Sequence, residues 1–113
     1  MDWIKLHSRQ QLADIKSQSE KTPVVIFKHS TRCATSRMTL DRLERTWDKQ
    51  EMAQVIPYFL DLLTYRQISN EVADHFGVEH ESPQILVISK GQSVLDLSHF
   101  EIDYAPIRDA VRT

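Results

Sequence analysis

The stretch "VVIFKHSTRCATSRM" runs from Val24 to Met38, and its reading decides the fold. The first four residues, Val24 to Phe27, are an unbroken apolar run. Such a run reads as a strand covered on both faces, as in the middle of an α/β sheet. The end of the stretch opens a helix over about residues 33–52, with Met38, Leu40, Leu43 and Trp47 recurring at helical spacing. Between strand and helix lies a polar loop with the one cysteine of the chain, Cys33.

Elements of matching kind extend in both directions. Upstream, "WIKL" (Trp3 to Leu6) is a short extended piece. Ser8 and Gln11 form a capping-box pattern that starts a helix running to about Glu20, with Leu12 and Ile15 inward. Downstream, "VIPYFLDLL" (Val55 to Leu63) is a second apolar strand, with Pro57 tolerated near its start. Ile68, Val72 and Phe76 repeat at helical spacing, and Gly77 stands where a helix C-terminal glycine belongs. Pro83 opens a third strand, "PQILVIS", and Gly91 in "SKGQ" turns it into "SVLDL" as an antiparallel hairpin. Asp103 caps a last helix with Ile107 and Val111, and Pro106 is confined to its first turn. A right-handed βαβ unit followed by a helix and a hairpin is the thioredoxin arrangement. The expected fold class is therefore α/β: a thioredoxin-like three-layer α/β/α sandwich with a central mixed sheet of four to five strands. It forms a single domain over residues 1–113.

Composition narrows the function. With 41% hydrophobic residues, 27% charged residues and a net charge of −2, the chain resembles a soluble globular protein and not a strongly basic nucleic-acid binder. No apolar run approaches the roughly 20 residues of a membrane span. "MDWIKLHSRQQ" lacks the apolar core of a signal peptide, so a cytoplasmic location is expected. A single cysteine forms no internal disulfide, in keeping with a reducing compartment, and excludes multi-cysteine zinc sites. His7, His29, His75, His80 and His99 contain no pair at helical metal-ligand spacing, so neither a metal nor a bound cofactor is expected. The oligomeric state is not legible.

Cysteine is among the most buried residue types, and an inert thiol is the plain reading of a lone one. The polar flanks "HSTR" and "ATSR" argue against it. In the predicted order, Cys33 lies at the carboxyl edge of the sheet, where α/β folds place ligands. The free N–H groups and positive dipole end of the following helix favour an anion there. From Lys21 to Leu40 the chain holds Lys21, Lys28, Arg32 and Arg37 and no acid. Both features favour thiolate, the species that attacks disulfides. Three residues on, Ser36 stands where a dithiol enzyme has its resolving cysteine. A serine can hydrogen-bond a thiolate but cannot release a mixed disulfide, so the chemistry is monothiol. Ser82-Pro83 is the second signal. Most such bonds are trans. In a thioredoxin-like fold, though, the proline before the third core strand is cis and faces the active cysteine, and the residue before it pairs with the substrate backbone.

"FKHSTRC..S", "IPYFLDL", "RQISNEVADHFGVEHESPQ" and the late Ser98-His99 together resemble the monothiol bacilliredoxins, in the right order over essentially the whole chain. That family typically carries T-C-P-I-S. Here the sequence is Arg32-Cys33-Ala34-Thr35-Ser36, which keeps the cysteine and the serine but loses a stiffening proline. The resemblance implies a thiol–disulfide oxidoreductase that removes bacillithiol from mixed disulfides with client proteins. Bacillithiol is a low-molecular-weight thiol of some bacteria, built from cysteine, glucosamine and malate. It, or another such thiol, is the implied co-substrate, and a thiol or reductase regenerates the protein. Cys33 is then the catalytic nucleophile. Ser36, Arg32 and His29 are the thiolate-stabilising candidates, and Lys28, Arg37, Ser82, Pro83 and Gln84 the substrate-binding ones. His80 and His99 lie in or beside matching motifs. Two alternatives use the same fold: a redox sensor modified at Cys33, and a non-catalytic binding module.

Overall fold

A computed structural model describes residues 1–112. The elements are β1 (Ile4–Lys5), α1 (Arg9–Gln18), β2 (Val24–His29), α2 (Ala34–Thr46), β3 (Ile56–Asp61), α3 (Arg66–Phe76), β4 (Gln84–Ser89), β5 (Gln92–Ser98), a short 3-10 turn (His99–Glu101) and α4 (Tyr104–Val111). The five strands form one sheet in the order β1-β3-β2-β4-β5. β1, β3 and β2 run parallel, whereas β4 is antiparallel to β2 and to β5. This is the expected thioredoxin-like sandwich.

Strand alternation splits the core in two. Val24 and Ile26 of β2 point with Leu86 and Ile88 of β4 into a cluster closed by Leu12 and Ile15 of α1 and Ile68 and Val72 of α3. Val25, Phe27, Ile85 and Val87 point the other way, against Leu43 of α2 and Ile107 of α4. Every residue of β2 is buried. Pro57 sits inside β3 without loss. Ile56 N–H bonds Pro23 O on the β2 side, so Pro57 faces the β1 side, where β1 reaches only Tyr58 and Phe59.

Local signals set the boundaries. Ser8 N–H donates to Gln11 Oε1 at the start of α1. Gly77 ends α3 in the left-handed region at φ 63°, a conformation glycine adopts without a Cβ clash. Lys90 and Gly91 both take positive φ in the β4–β5 turn. Asp103 Oδ1 accepts from Tyr104 N–H at the head of α4.

The second helix is shorter than its sequence suggests. It ends at Thr46, and Trp47 turns extended at ψ 123°. Asp48 Oδ1 then accepts from the N–H groups of Gln50 and Glu51, which forms a turn in place of a further helical one. Turning out also lets the Trp47 ring meet Trp3 and Tyr104. Met38 is not on the inner face: Ser36, Thr39 and Leu43 form the buried stripe, and Met38 is 61% exposed. The first helix ends at Gln18, before Glu20, and β3 stops at Asp61. Of "WIKL" only Ile4–Lys5 pair as a strand.

Candidate functional site

The β2–α2 junction builds the site. Ser30, Thr31 and Arg32 cross from the strand to the helix, and Cys33 is the N-cap of α2 at φ −108°, ψ 117°. Its N–H donates to Ser30 O, and its own carbonyl accepts from Arg37 N–H. The cysteine is half-buried. No acidic residue stands in the first turn of α2. This half-buried residue thus stands at the positive end of a helix of 13 residues. Arg32 is exposed, and so is Arg37, whose Nη1 donates to Thr31 O at 2.8 Å and ties the loop to the helix.

Beneath the loop Ser36 is fully buried. Its Oγ lies 2.6 Å from His29 Nδ1 and accepts from Ser30 N–H at 3.1 Å. His29 lies against Phe59 with ring centroids 5.3 Å apart. Burial lowers its pKa, and Asp61 only partly offsets this. At neutral pH the imidazole is uncharged. Ser36 and His29, both expected at the thiolate, thus form a buried pair that shapes the loop from inside.

Lys28 and Gln84 differ from expectation. Alternation along β2 sends Lys28 to the face opposite His29, into the layer of α3. There it is fully buried and meets no ligand from outside. Its Nζ donates to Ser69 O at 3.2 Å and lies 3.2 Å from His80 Nδ1. An ammonium has no acceptor lone pair, so His80 Nδ1 is the acceptor and the imidazole is neutral. Burial, and after it the charge of Lys28, lowers the His80 pKa. Burial also brings Lys28 down from 10.5 to about 8. Gln84 pairs with Lys28 in register across β2 and β4. It is likewise buried and donates through Nε2 to Glu79 O at 2.9 Å. Neither side chain offers the surface contact expected of it.

Ser82-Pro83 is a cis peptide bond. The antiparallel register that sets Lys28 beside Gln84, continued by one residue, brings Pro83 level with His29. Cys33 and the cis proline thus both belong to one end of the sheet. Pro83 O accepts from His99 N–H at 3.0 Å, and His99 Nε2 lies 3.1 Å from Glu81 Oε2. Ser82 Oγ is buried without a hydrogen-bond partner among the described residues. Sequence reasoning missed Ser69, which has no motif, and Arg42, whose Nη2 donates to Phe100 O at 3.2 Å and ties α2 to the segment after β5. No cluster of three or more metal-ligating side chains occurs among the described residues.

Known structures share this architecture. A thioredoxin-fold protein described as a candidate oxidoreductase is 28% identical, with a TM-score of 0.79 over 95% of this chain and 91% of its own. Thioredoxin from Malassezia sympodialis, at 20% identity, covers 96% of this chain and 86% of its own with a TM-score of 0.72. Thioredoxin from Trypanosoma brucei brucei, at 14% identity, covers 98% and 88% with a TM-score of 0.74. These two share the fold. The family described as "Monothiol bacilliredoxin BrxC" matches residues 4–107, which contain the whole β2–α2 junction and the cis-proline loop. A thiol-redox protein of thioredoxin fold, with one cysteine at a helix N-cap, the chain belongs to the monothiol bacilliredoxin family.

Proposed function

We propose that Cys33 removes bacillithiol from mixed disulfides with protein thiols, acting alone as nucleophile. The Cys33 thiolate attacks the bacillithiol sulfur. A Cys33–bacillithiol disulfide forms, the client's bond breaks, and the client sulfur leaves as a thiolate that takes a proton from solvent. A second low-molecular-weight thiolate, or a reductase thiol, attacks the same sulfur. Cys33 is freed and a new disulfide carries the oxidation away. Arg32 and Arg37, exposed on either side of Cys33, suit the malate carboxylates of bacillithiol. The backbone at Ser82 suits an extended client segment. The clients are cytoplasmic proteins.

One observation carries this reading: a half-buried cysteine occupies the N-cap position of α2, and the position of a resolving cysteine holds a buried serine. The site can accept a mixed disulfide and cannot close one internally. The test is intact-mass spectrometry of the protein after oxidised bacillithiol, followed by a bacillithiolated reporter protein with bacillithiol as reductant. A 1:1 adduct at Cys33 and release of the reporter faster than by free thiol are expected. Without an adduct the redox reading fails. An adduct without accelerated release leaves a sensor.

A further inference from the structure

Lys28 is a charge without a counter-charge. It is fully buried, and no carboxylate pairs with it among the described residues. Its partners are a carbonyl, Ser69 O, and an imidazole nitrogen, His80 Nδ1. Taking an ammonium from water to neutral partners is costly, and an apolar side chain of similar length would avoid that cost. Folding alone thus gives no reason for a lysine at this place.

The partners are specific. His80 stands in the loop from Glu79 to cis-Pro83. Gln84 Nε2 holds the same loop at Glu79 O, and His99 holds it at Pro83 O and Glu81 Oε2. These anchors come from β4 and from the segment after β5. Lys28 alone among them belongs to β2, the strand that runs into the Cys33 loop. Its Nζ also takes Ser69 O, so one ammonium joins the nucleophile's strand, α3 and the cis-proline loop.

We infer that Lys28 is a positioning residue: by donating to His80 Nδ1 it holds the Glu79–Pro83 loop in register with the Cys33 junction, so that a client disulfide is bound across both. The inference rests on the thiol-exchange reading above. It concerns binding geometry and leaves the intrinsic attack of Cys33 untouched.

The test compares full-length wild type with Lys28→Met, His80→Leu and His80→Gln. Amide hydrogen exchange at Glu79–Ser82 reads the loop. Steady-state exchange with the bacillithiolated reporter gives KM and kcat, iodoacetamide alkylation reads Cys33, and urea unfolding reads stability. Loss of a charge-assisted hydrogen bond is worth about tenfold. Lys28→Met is expected to speed loop exchange and to raise KM by that factor. Alkylation, kcat and stability should not fall. His80→Leu should match it, and His80→Gln, which keeps an acceptor, should recover part of the loss. Unchanged loop exchange in Lys28→Met overturns the inference whether or not the reporter turns over. So does a raised KM that comes only with lost stability or slower alkylation. Faster loop exchange in Lys28→Met with an inactive wild type keeps the Lys28 anchor and removes the thiol-exchange reading.

Discussion

His29 and Lys28 are neighbours in one strand, and each loses solvent for a different partner. His29 is pushed below its ordinary pKa by burial, chiefly, against the pull of Asp61. His80 moves the same way by burial and then by Lys28. The unfolded chain takes up protons on these rings near pH 6.5, while the folded one resists. The unfolded state therefore binds more protons as pH falls, and stability is lost below about pH 6.5. Urea unfolding at pH 5 and pH 7 should show this loss in wild type, and a smaller one in His29→Gln. Lys28 acts with the same sign in a higher window. Its folded value is lowered from 10.5 to about 8, so between these values the unfolded chain holds the extra proton and stability rises with pH. Lys28→Met should therefore exceed wild type at pH 7 by on the order of 2 kcal/mol, and the gap should narrow by pH 10. Equal slopes in the two proteins would remove the ammonium as the cause.

At the scale of an element, the first turn of α2 explains why the chemistry needs an outside thiol. Cys33 caps the helix and Ser36 lies three residues on, buried beneath it. The Ser36 hydroxyl also satisfies Ser30 N–H and His29 Nδ1. Ser36→Cys would convert the pair to a dithiol. Oxidation is then expected to give an internal disulfide, seen as loss of both free thiols without an adduct, and client release should no longer need excess low-molecular-weight thiol. The same change leaves Ser30 N–H and His29 Nδ1 without their oxygen, at a cost of about 1–3 kcal/mol in urea unfolding. The turn after α2 shows a limit of periodicity. The apolar spacing continues to Trp47, but that ring has better partners off the helix, in Trp3 and Tyr104. Tertiary contacts of this kind override helix propensity.

The whole molecule is two apolar layers on one sheet, and Phe27 shows how much a single strand carries. It is fully buried and packs on Trp3 and Phe59, with ring centroids 6.0 and 6.4 Å away. Phe27→Ala should cost about 3–5 kcal/mol, a large share of the roughly 5–15 kcal/mol that holds a domain of this size. A fall in the urea midpoint at unchanged m-value would show it. The element order, the both-sided burial of Val24–Phe27, the glycine stop at Gly77, the hairpin at Gly91 and the thiol at a strand–helix junction are all legible in the sequence, because each depends on neighbours within a few residues. Where charged side chains end up is not. Period-2 alternation says that Lys28 and His29 leave β2 on opposite faces, and charge alone would put Lys28 in water. Tertiary structure decided otherwise, since the groups that receive its ammonium, Ser69 O and His80 Nδ1, come from 41 and 52 residues away. A local pattern sets direction along a strand. Only the packing of distant elements sets what a side chain meets there.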